Sequence, residues 1–512
     1  MKFRLIIKNF FSGIFSQFIT ICLGIIIPKL FIVNLGSETN GLMSSINQFL
    51  VYLSLLEAGV GTATIQALYG PIANDDKKTI NGIMSATNMY YKKTGIIYLL
   101  LVLIFSIVYP LFMDTSLDYF TILLVIFLSG LSQVITYLFH GKYKLLLNAD
   151  GKTYVVNNLA TIITLLTSIT KIILLLMGFD IIAIQFSYLI INVLQMLFLS
   201  YYIKKIYPWI NVNVTPNLQA ISKKSSVMIH QISYLVFSNT DIIILSMFCN
   251  LEIVSVYTIY NTIFSSLSSL LNSINNSVIF YLGETYHKSI NKFRKIIDIY
   301  ENIYMTLNYI CYNLALIFII PFMRIYTFGI KDVNYIDYTL AVLFTIINIL
   351  IATRTAMSNT INVSGYFKET EKRAVLEMLI NLVVSFILVK IIGIYGVLLG
   401  TIFALLYRAN DIILFTNRKI LNRSAIKTYK NILRNTVIFF ILIHIFNFNT
   451  INFISYYKLI LSFIKCAIIV ILIYIIGLVI FNPKDFKIIL KYVKNRYDFY
   501  KINKEKNNIS IK

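Results

Sequence analysis

Charge is what this 512-residue chain has least of. Asp, Glu, Lys and Arg make up 13% of it, against 58% hydrophobic residues and a mean hydropathy of +0.77. A soluble domain carries about a quarter charged residues, so a water-facing surface of this size would be left uncovered. A bilayer removes the need, because lipid-facing positions require no charge. Cysteine is scarce as well. Cys22, Cys249, Cys311 and Cys466 all fall in apolar runs and none belongs to a CxxC pair, which argues against a disulfide framework or a zinc site. With a single Trp, the interfacial aromatic belt of a membrane protein falls to the 36 Tyr. Motifs of energy-coupled and hydrolytic chemistry are missing too. Gly151-Lys152-Thr153 lacks the upstream glycine of a phosphate-binding loop, since position 146 is Leu. Neither HExxH nor GxSxG occurs. The chain is therefore expected to be neither an ATP-driven pump by itself nor an enzyme, and to need no cofactor. No cleavable signal peptide is expected, because the first apolar run is a full span without a small-residue cleavage pattern.

What is there is a succession of long apolar runs. A span needs about 20 mostly apolar residues. Such runs lie near 10–33, 41–67, 83–112, 119–145, 153–177, 181–203, 221–247, 253–281, 299–321, 334–360, 373–391, 394–416, 431–449 and 456–481. The expectation is an all-α integral membrane protein of about 14 transmembrane helices. The third span is the least clean, because Lys92 and Lys93 lie inside it; it is read as entering the membrane near Gly95.

The distribution of positive charge tests the count, since cytoplasmic connections carry the excess of Lys and Arg. With the N-terminus inside, 36 of the 45 basic residues fall in cytoplasmic segments, ending in the cluster from Arg418 to Arg434 and the tail from Lys484 to Lys512. The nine others are Lys29, Lys171, Arg324, Lys331, Arg354, Lys390, Arg408, Lys458 and Lys465. Both termini are accordingly placed in the cytoplasm. The net charge of +23 then needs no nucleic acid, because basic loops facing anionic membrane lipid account for it.

The chain repeats itself at an offset of 214 residues. Asn47, Leu53, Ser54 and Leu56 match Asn261, Leu267, Ser268 and Leu270; Glu38 matches Glu252; Asn148 and Gly151 match Asn362 and Gly365. The repeat holds six spans, an even number, so both copies share one topology. This predicts two six-helix lobes related by a pseudo-two-fold axis along the membrane normal, an arrangement typical of alternating-access carriers. The expected organisation is a lobe at 1–214, a lobe at 215–428, two extra helices at 429–482 and a basic cytoplasmic tail at 483–512.

Ionisable groups at membrane depth are costly and usually face a cavity. Glu57 lies near the middle of span two and Asp241 in the later half of span seven; each is a candidate for proton coupling or for a hydrogen bond to neighbouring helices. Arg408 and Asp411 lie three apart on span twelve and are placed to pair, and Asp411 is a third candidate carboxylate for the cavity or for proton coupling. Arg354 lies in the cytoplasmic half of span ten, and Lys29 follows the kinking Pro28 of span one. Lys171, Lys390 and Lys465 are read as residues that snorkel to an interface. Spans two and eight carry many Ser and Asn residues, Asn47 and Asn261 among them. Such helices are expected to line the interior, where hydroxyls and amides suit sugars or allow close helix packing.

Several stretches resemble bacterial oligosaccharide repeat-unit flippases. They are Leu35-Gly36-Ser37-Glu38-Thr39-Asn40-Gly41-Leu42, Leu55-Leu56-Glu57-Ala58-Gly59-Val60-Gly61, Thr240-Asp241-Ile242-Ile243-Ile244-Leu245-Ser246, and the segment from Gly365 through Gly393, Gly396 and Gly400 to Tyr407-Arg408-Ala409-Asn410-Asp411. These flippases are the Wzx-type, polysaccharide transport family of the multidrug/oligosaccharidyl-lipid/polysaccharide exporter superfamily. The resemblance covers nearly the whole chain. It implies a bacterial inner-membrane carrier that moves an undecaprenyl-diphosphate-linked oligosaccharide outward for O-antigen, capsule or exopolysaccharide assembly. It also implies a cationic cavity for the diphosphate, with Lys29, Arg354 and Arg408 in that part, and other polysaccharide-assembly membrane proteins as partners. The alternatives are a peptidoglycan lipid-precursor flippase, a multidrug or cation exporter of the same superfamily, and a membrane polysaccharide polymerase. A polymerase would need a large outer loop, and the longest one expected runs only from about Arg324 to Asn334.

Overall fold

The computed structural model describes residues 2–57, 60–113, 115–221, 225–446 and 455–483, and these are helical apart from short connections. The helices are α1 (Lys2–Leu53), α2 (Val60–Ala73), α3 (Lys77–Val108), α4 (Tyr119–Ile135), α5 (Gly141–Ala149), α6 (Thr153–Leu176), α7 (Ile181–Ile206), the single turn α8 (Leu218–Ile221), α9 (Ser225–Phe248), α10 (Leu251–Lys288), α11 (Ile290–Tyr326), α12 (Tyr338–Ser364), α13 (Phe367–Ile392), α14 (Ile394–Phe415), α15 (Ile426–Phe446) and α16 (Tyr456–Phe481). The basic tail expected from 483 onward lies, from residue 484, outside the described residues.

Twelve of these segments are long and apolar enough to cross a membrane. Two features reconcile that number with the fourteen runs read from the sequence. Phe15–Glu57 is counted once, yet its 43 residues rise about 65 Å, twice a hydrocarbon core. The backbone breaks inside it at Gly36 (φ 83°, ψ 163°), between the first two expected spans. The 38-residue α10 is long enough but does not pass the hydropathy requirement, because of its run of Ser and Asn residues. The protein is an all-helical, multi-pass membrane protein.

Local chemistry explains the helix ends. Asp118, Asp180, Asp337 and Ser289 accept hydrogen bonds from backbone N–H groups at the starts of α4, α7, α12 and α11, satisfying donors that a helix leaves orphaned. Gly151 (φ 72°) and Gly365 (φ 77°) both take the left-handed conformation just after a helix, as a glycine does at least cost. These are the two glycines matched by the sequence repeat.

Packing divides the chain into two units. The first holds 1–266, 329–335 and 367–404, and within it α9 packs against α13 and α1, and α1 against α6. Its core includes Phe31, Leu42, Ile46, Val125, Ile126 and Ile184. At the start of α10, the Leu251 carbonyl fills the space where a Cβ on Gly41 would go, so only glycine lets the two backbones approach. The second unit holds 267–328, 336–366 and 405 onward, built on α11 packed against α12, α15 and α16.

In the second unit a polar network ties α15 to α11. Arg423 pairs with Asp298 and, at 2.6 Å, with Glu301, whose side chain is wholly buried; Lys427 meets Asp298 at 2.7 Å. Two turns further along α15, the buried Arg434 guanidinium donates to Asn302 (3.0 Å), Thr306 (2.9 Å), Asn435 (3.0 Å) and Asn482 (2.6 Å).

Candidate functional site

The first unit holds an open cavity of about 350 Å³ among α1, α3, α4, α6 and α7. Its wall is polar for a membrane interior: Asn47 and Ser54 at the end of α1, Ser129, Ser132 and Gln133 from α4, Lys171 from α6, Gln185 from α7, and the rings of Tyr98 and Tyr188. Gln185 is 1% exposed, accepts from the Ser129 hydroxyl at 3.3 Å and turns its amide NH₂ to the Met43 sulfur, a weak acceptor, at 3.2 Å. The Ser132 hydroxyl is buried without a partner among the described residues. The Lys171 ammonium has no carboxylate partner among the described residues. It lies 5.5 Å from the Tyr188 ring centroid and 6.0 Å from that of Phe31, within cation–π range. A lysine without a carboxylate partner among the described residues, an unpartnered Ser132 hydroxyl and two tyrosine rings make a site that a polar, anionic ligand would complete.

Beside the cavity, α1 ends in a tight turn at Ser54–Glu57, and Glu57 accepts a hydrogen bond from the Tyr91 hydroxyl. The Tyr137 ring packs edge-on to Tyr91 (5.8 Å between centroids) and against Tyr98 (5.3 Å), which lines the cavity. Tyr137 lies in a widened turn, Thr136–His140, between α4 and α5; insertions of this kind recur at functional sites.

A second carboxylate is buried elsewhere in the same unit. Asp241 on α9 is 6% exposed and accepts from Tyr257 of α10 (3.0 Å) and Thr401 of α14 (3.0 and 3.3 Å), while Asn381 of α13 donates to Thr401 (2.9 Å). The Asn381 amide oxygen is buried without a partner among the described residues. Four helices thus converge on one carboxylate, with no cation facing it in these contacts.

The expected site residues are distributed as follows. Asn47 lines the cavity. Arg408 and Asp411 pair at 2.7 Å in the second unit, with Arg408 buried. Glu57 and Asp241 each centre the hydrogen-bonded cluster just described. Lys29, Asn261 and Arg354 are partly buried and line neither the 350 Å³ cavity nor the apolar pocket of the second unit, which Tyr309, Ile346, Leu350, Thr353, Ala409 and Phe439 help to form. Sequence reasoning missed Lys171, Gln133 and Gln185. Lys171 was read as a snorkelling residue, and the structure puts it in the cavity wall. Its signal was present: it is a charged residue inside a span, with an intramembrane glutamine on the next helix (Gln185) and another two helices before (Gln133).

No known protein-family profile matches the sequence, and no curated protein matches it. Solved structures do match, and those at a TM-score above 0.5 are similar to this chain in fold. One is the lipid II flippase MurJ in an inward closed conformation, with a TM-score of 0.67 over 93% of this chain and 98% of that one, at 15% identity. Another is a multidrug resistance MATE family transporter of the MOP superfamily in an inward-facing conformation, with a TM-score of 0.55 over 78% of this chain and 94% of that one, also at 15% identity. At this identity the likeness concerns the fold.

Proposed function

We propose that the protein is a flippase that moves an undecaprenyl-diphosphate-linked oligosaccharide repeat unit from the cytoplasmic to the outer face of a bacterial inner membrane, for surface polysaccharide assembly. One observation carries the reading: a polar cavity holding a lysine without a carboxylate partner among the described residues, in a helical chain whose fold is similar to that of a lipid II flippase. Hydroxyls, amides and tyrosine faces suit a glycan, and Lys171 suits the negative charge that travels with it. In this reading 1–214 and 215–428 are the two repeated lobes, 429–482 an added pair and 483–512 a basic cytoplasmic tail. Lys29, Arg354 and Arg408 meet the diphosphate at other stages of the cycle, and Asn47 and Asn261 the sugars.

The cavity solves the main physical problem, which is passing sugars and charge through hydrocarbon. It replaces water around the polar part, and alternating access presents it to each face in turn. A substrate with about two negative charges leaving a negative interior gains about 2.3 kcal/mol per charge per 100 mV. Glu57 and Asp241 supply carboxylates that can be protonated on the return step, which would add a proton gradient to the drive. A drug or cation exporter is the weaker reading, because a lysine in the cavity wall repels a cation.

The test is deletion of the gene with analysis of surface polysaccharide and lipid-linked intermediates. Lipid-linked repeat units accumulating on the inner face support flipping. Single unpolymerised units displayed at the surface would instead identify a polymerase. Unchanged surface polysaccharide with altered drug sensitivity would favour export of cations.

A further inference from the structure

Away from the cavity, α6 and α7 leave between them an open groove of about 510 Å³ on the surface of the first unit. Most of its length is apolar: Leu159, Ile162, Ile163, Leu166, Leu194 and Phe198. Ile162, Leu166, Leu194 and Phe198 are each about half exposed, as expected for a surface that faces hydrocarbon. The groove has a direction. Three of its polar residues, Tyr154 and Asn158 on α6 and Tyr202 on α7, gather at the end where α6 starts and α7 finishes, and the fourth, Gln195, lies further along α7 beside Leu194. Leu194, Phe198, Tyr202 and Lys205 follow one another at helical spacings of four, four and three residues, so the stripe that floors the groove runs out onto a lysine. Lys204 and Lys205 are exposed, and among the described residues neither has a partner. Lys152, at the same end, is already engaged by Asp150 (2.7 Å) and the Tyr207 hydroxyl (3.0 Å) and adds no free charge.

One further residue marks this as more than bare surface. Gln195 is 7% exposed, lines the groove, and makes no hydrogen bond among the described residues. Its amide can donate to or accept from an ester or hydroxyl group of a ligand lying in the groove.

We propose that this groove is a binding site for an anionic diacyl phospholipid, with its chains along Leu166, Leu194 and Phe198, its glycerol-ester region against the amides and tyrosines, and its phosphate at Lys204 and Lys205. The pattern is that of an amphiphile: a hydrocarbon track, then polar uncharged groups, then free positive charge. The site is distinct from the glycan cavity and does not depend on the flippase reading. Its role would be to fix the α6–α7 pair in the leaflet that holds the basic connections.

The experiment uses the full-length protein in nanodiscs of equimolar palmitoyl-oleoyl phosphatidylglycerol and phosphatidylethanolamine, released into detergent and weighed by native mass spectrometry. A single retained phosphatidylglycerol adduct is expected. Each surface lysine contributes about a fivefold preference for anionic lipid, so K204Q/K205Q should lower the phosphatidylglycerol-to-phosphatidylethanolamine ratio by roughly tenfold or more. Leu166→Trp, which fills the groove from an exposed position, should remove the adduct whatever its headgroup. All three proteins should keep the same detergent melting temperature measured without added lipid. Equal retention of the two lipids by the unaltered protein, or a ratio untouched by K204Q/K205Q, would overturn the proposal. So would an adduct with the mass of a polyprenyl phosphate in place of a diacyl lipid.

Discussion

Lys171 is the residue on which the proposed function can be tested most sharply, because function and stability pull on it in opposite directions. In the cavity wall its ammonium faces two aromatic rings and no carboxylate among the described residues. A buried charge without a counter-charge costs stability. Lys171→Met keeps the length and the apolar stem of the side chain and deletes the charge. The melting temperature of the purified protein should therefore hold or rise. Transport should fall, because a charge-assisted hydrogen bond from Lys171 to a phosphate or carboxylate oxygen is worth about 1.5–3 kcal/mol, or roughly 10- to 150-fold in affinity. Lys171→Arg retains the charge and should restore most of the activity. The assay is complementation of a deletion strain, scored by surface polysaccharide and by lipid-linked intermediate, alongside thermal unfolding in detergent. A Lys171→Met protein that exports at the normal rate would refute the reasoning. So would one that loses export only because it unfolds, since the lysine would then be a structural residue.

Two other perturbations probe the same architecture. Glu57→Gln and Asp241→Asn each preserve shape and remove a titratable group, and both should lower glycan display with little loss of folded protein; normal display in both variants would remove proton coupling at these positions from the mechanism. Glu301→Leu breaks a buried pair with Arg423 and should destabilise the protein, toward the lower end of about 3–5 kcal/mol because Asp298 still partners that arginine; unchanged unfolding in detergent would show that Glu301 does not hold α15 to α11.

Much of the fold was legible because a membrane imposes a simple code. Long apolar runs and lysine placement gave the spans, and the break at Gly36 falls between the first two of them. The span hardest to detect by hydropathy is α10, whose Ser and Asn residues find partners inside the protein: Ser268 bonds Tyr312 and Asn348 at 2.8 Å, and Asn275 bonds Asn359 at 2.6 Å. The site was less legible. A charged residue in a span announces that it has a reason to be there but not which reason. Arg408 found Asp411 three residues away, a pairing that helical spacing predicts. Lys171 gathers with Asn47, Gln133 and Gln185 only once four helices are packed, and no spacing along one helix encodes that. Asp241 meets Thr401 across 160 residues for the same reason.

The contact between α13 and α14 shows how a residue without chemistry can govern this second carboxylate. Gly396 and Gly400 are four apart on α14 and face the backbone of α13; a Cβ on Gly400 would lie 2.7 Å from the Ser385 amide nitrogen and 2.9 Å from its Cα. Small residues at this spacing let helices approach closely. The approach is what brings Thr401, the next residue, within 3.0 Å of Asp241 and 2.9 Å of Asn381. Gly400→Ala must push the helices apart by several tenths of an ångström, an overpacking worth about 1–3 kcal/mol. The loss should appear in two readouts, a lower melting temperature and a transport defect resembling that of Asp241→Asn. Adding Ser385→Gly removes the side chain from the clash but leaves the amide nitrogen and Cα in place, so recovery should be partial. Full recovery would show that only the serine side chain was in the way. A Gly400→Ala protein that loses stability yet transports normally would separate the helix contact from Asp241 and deny that carboxylate its part in the cycle.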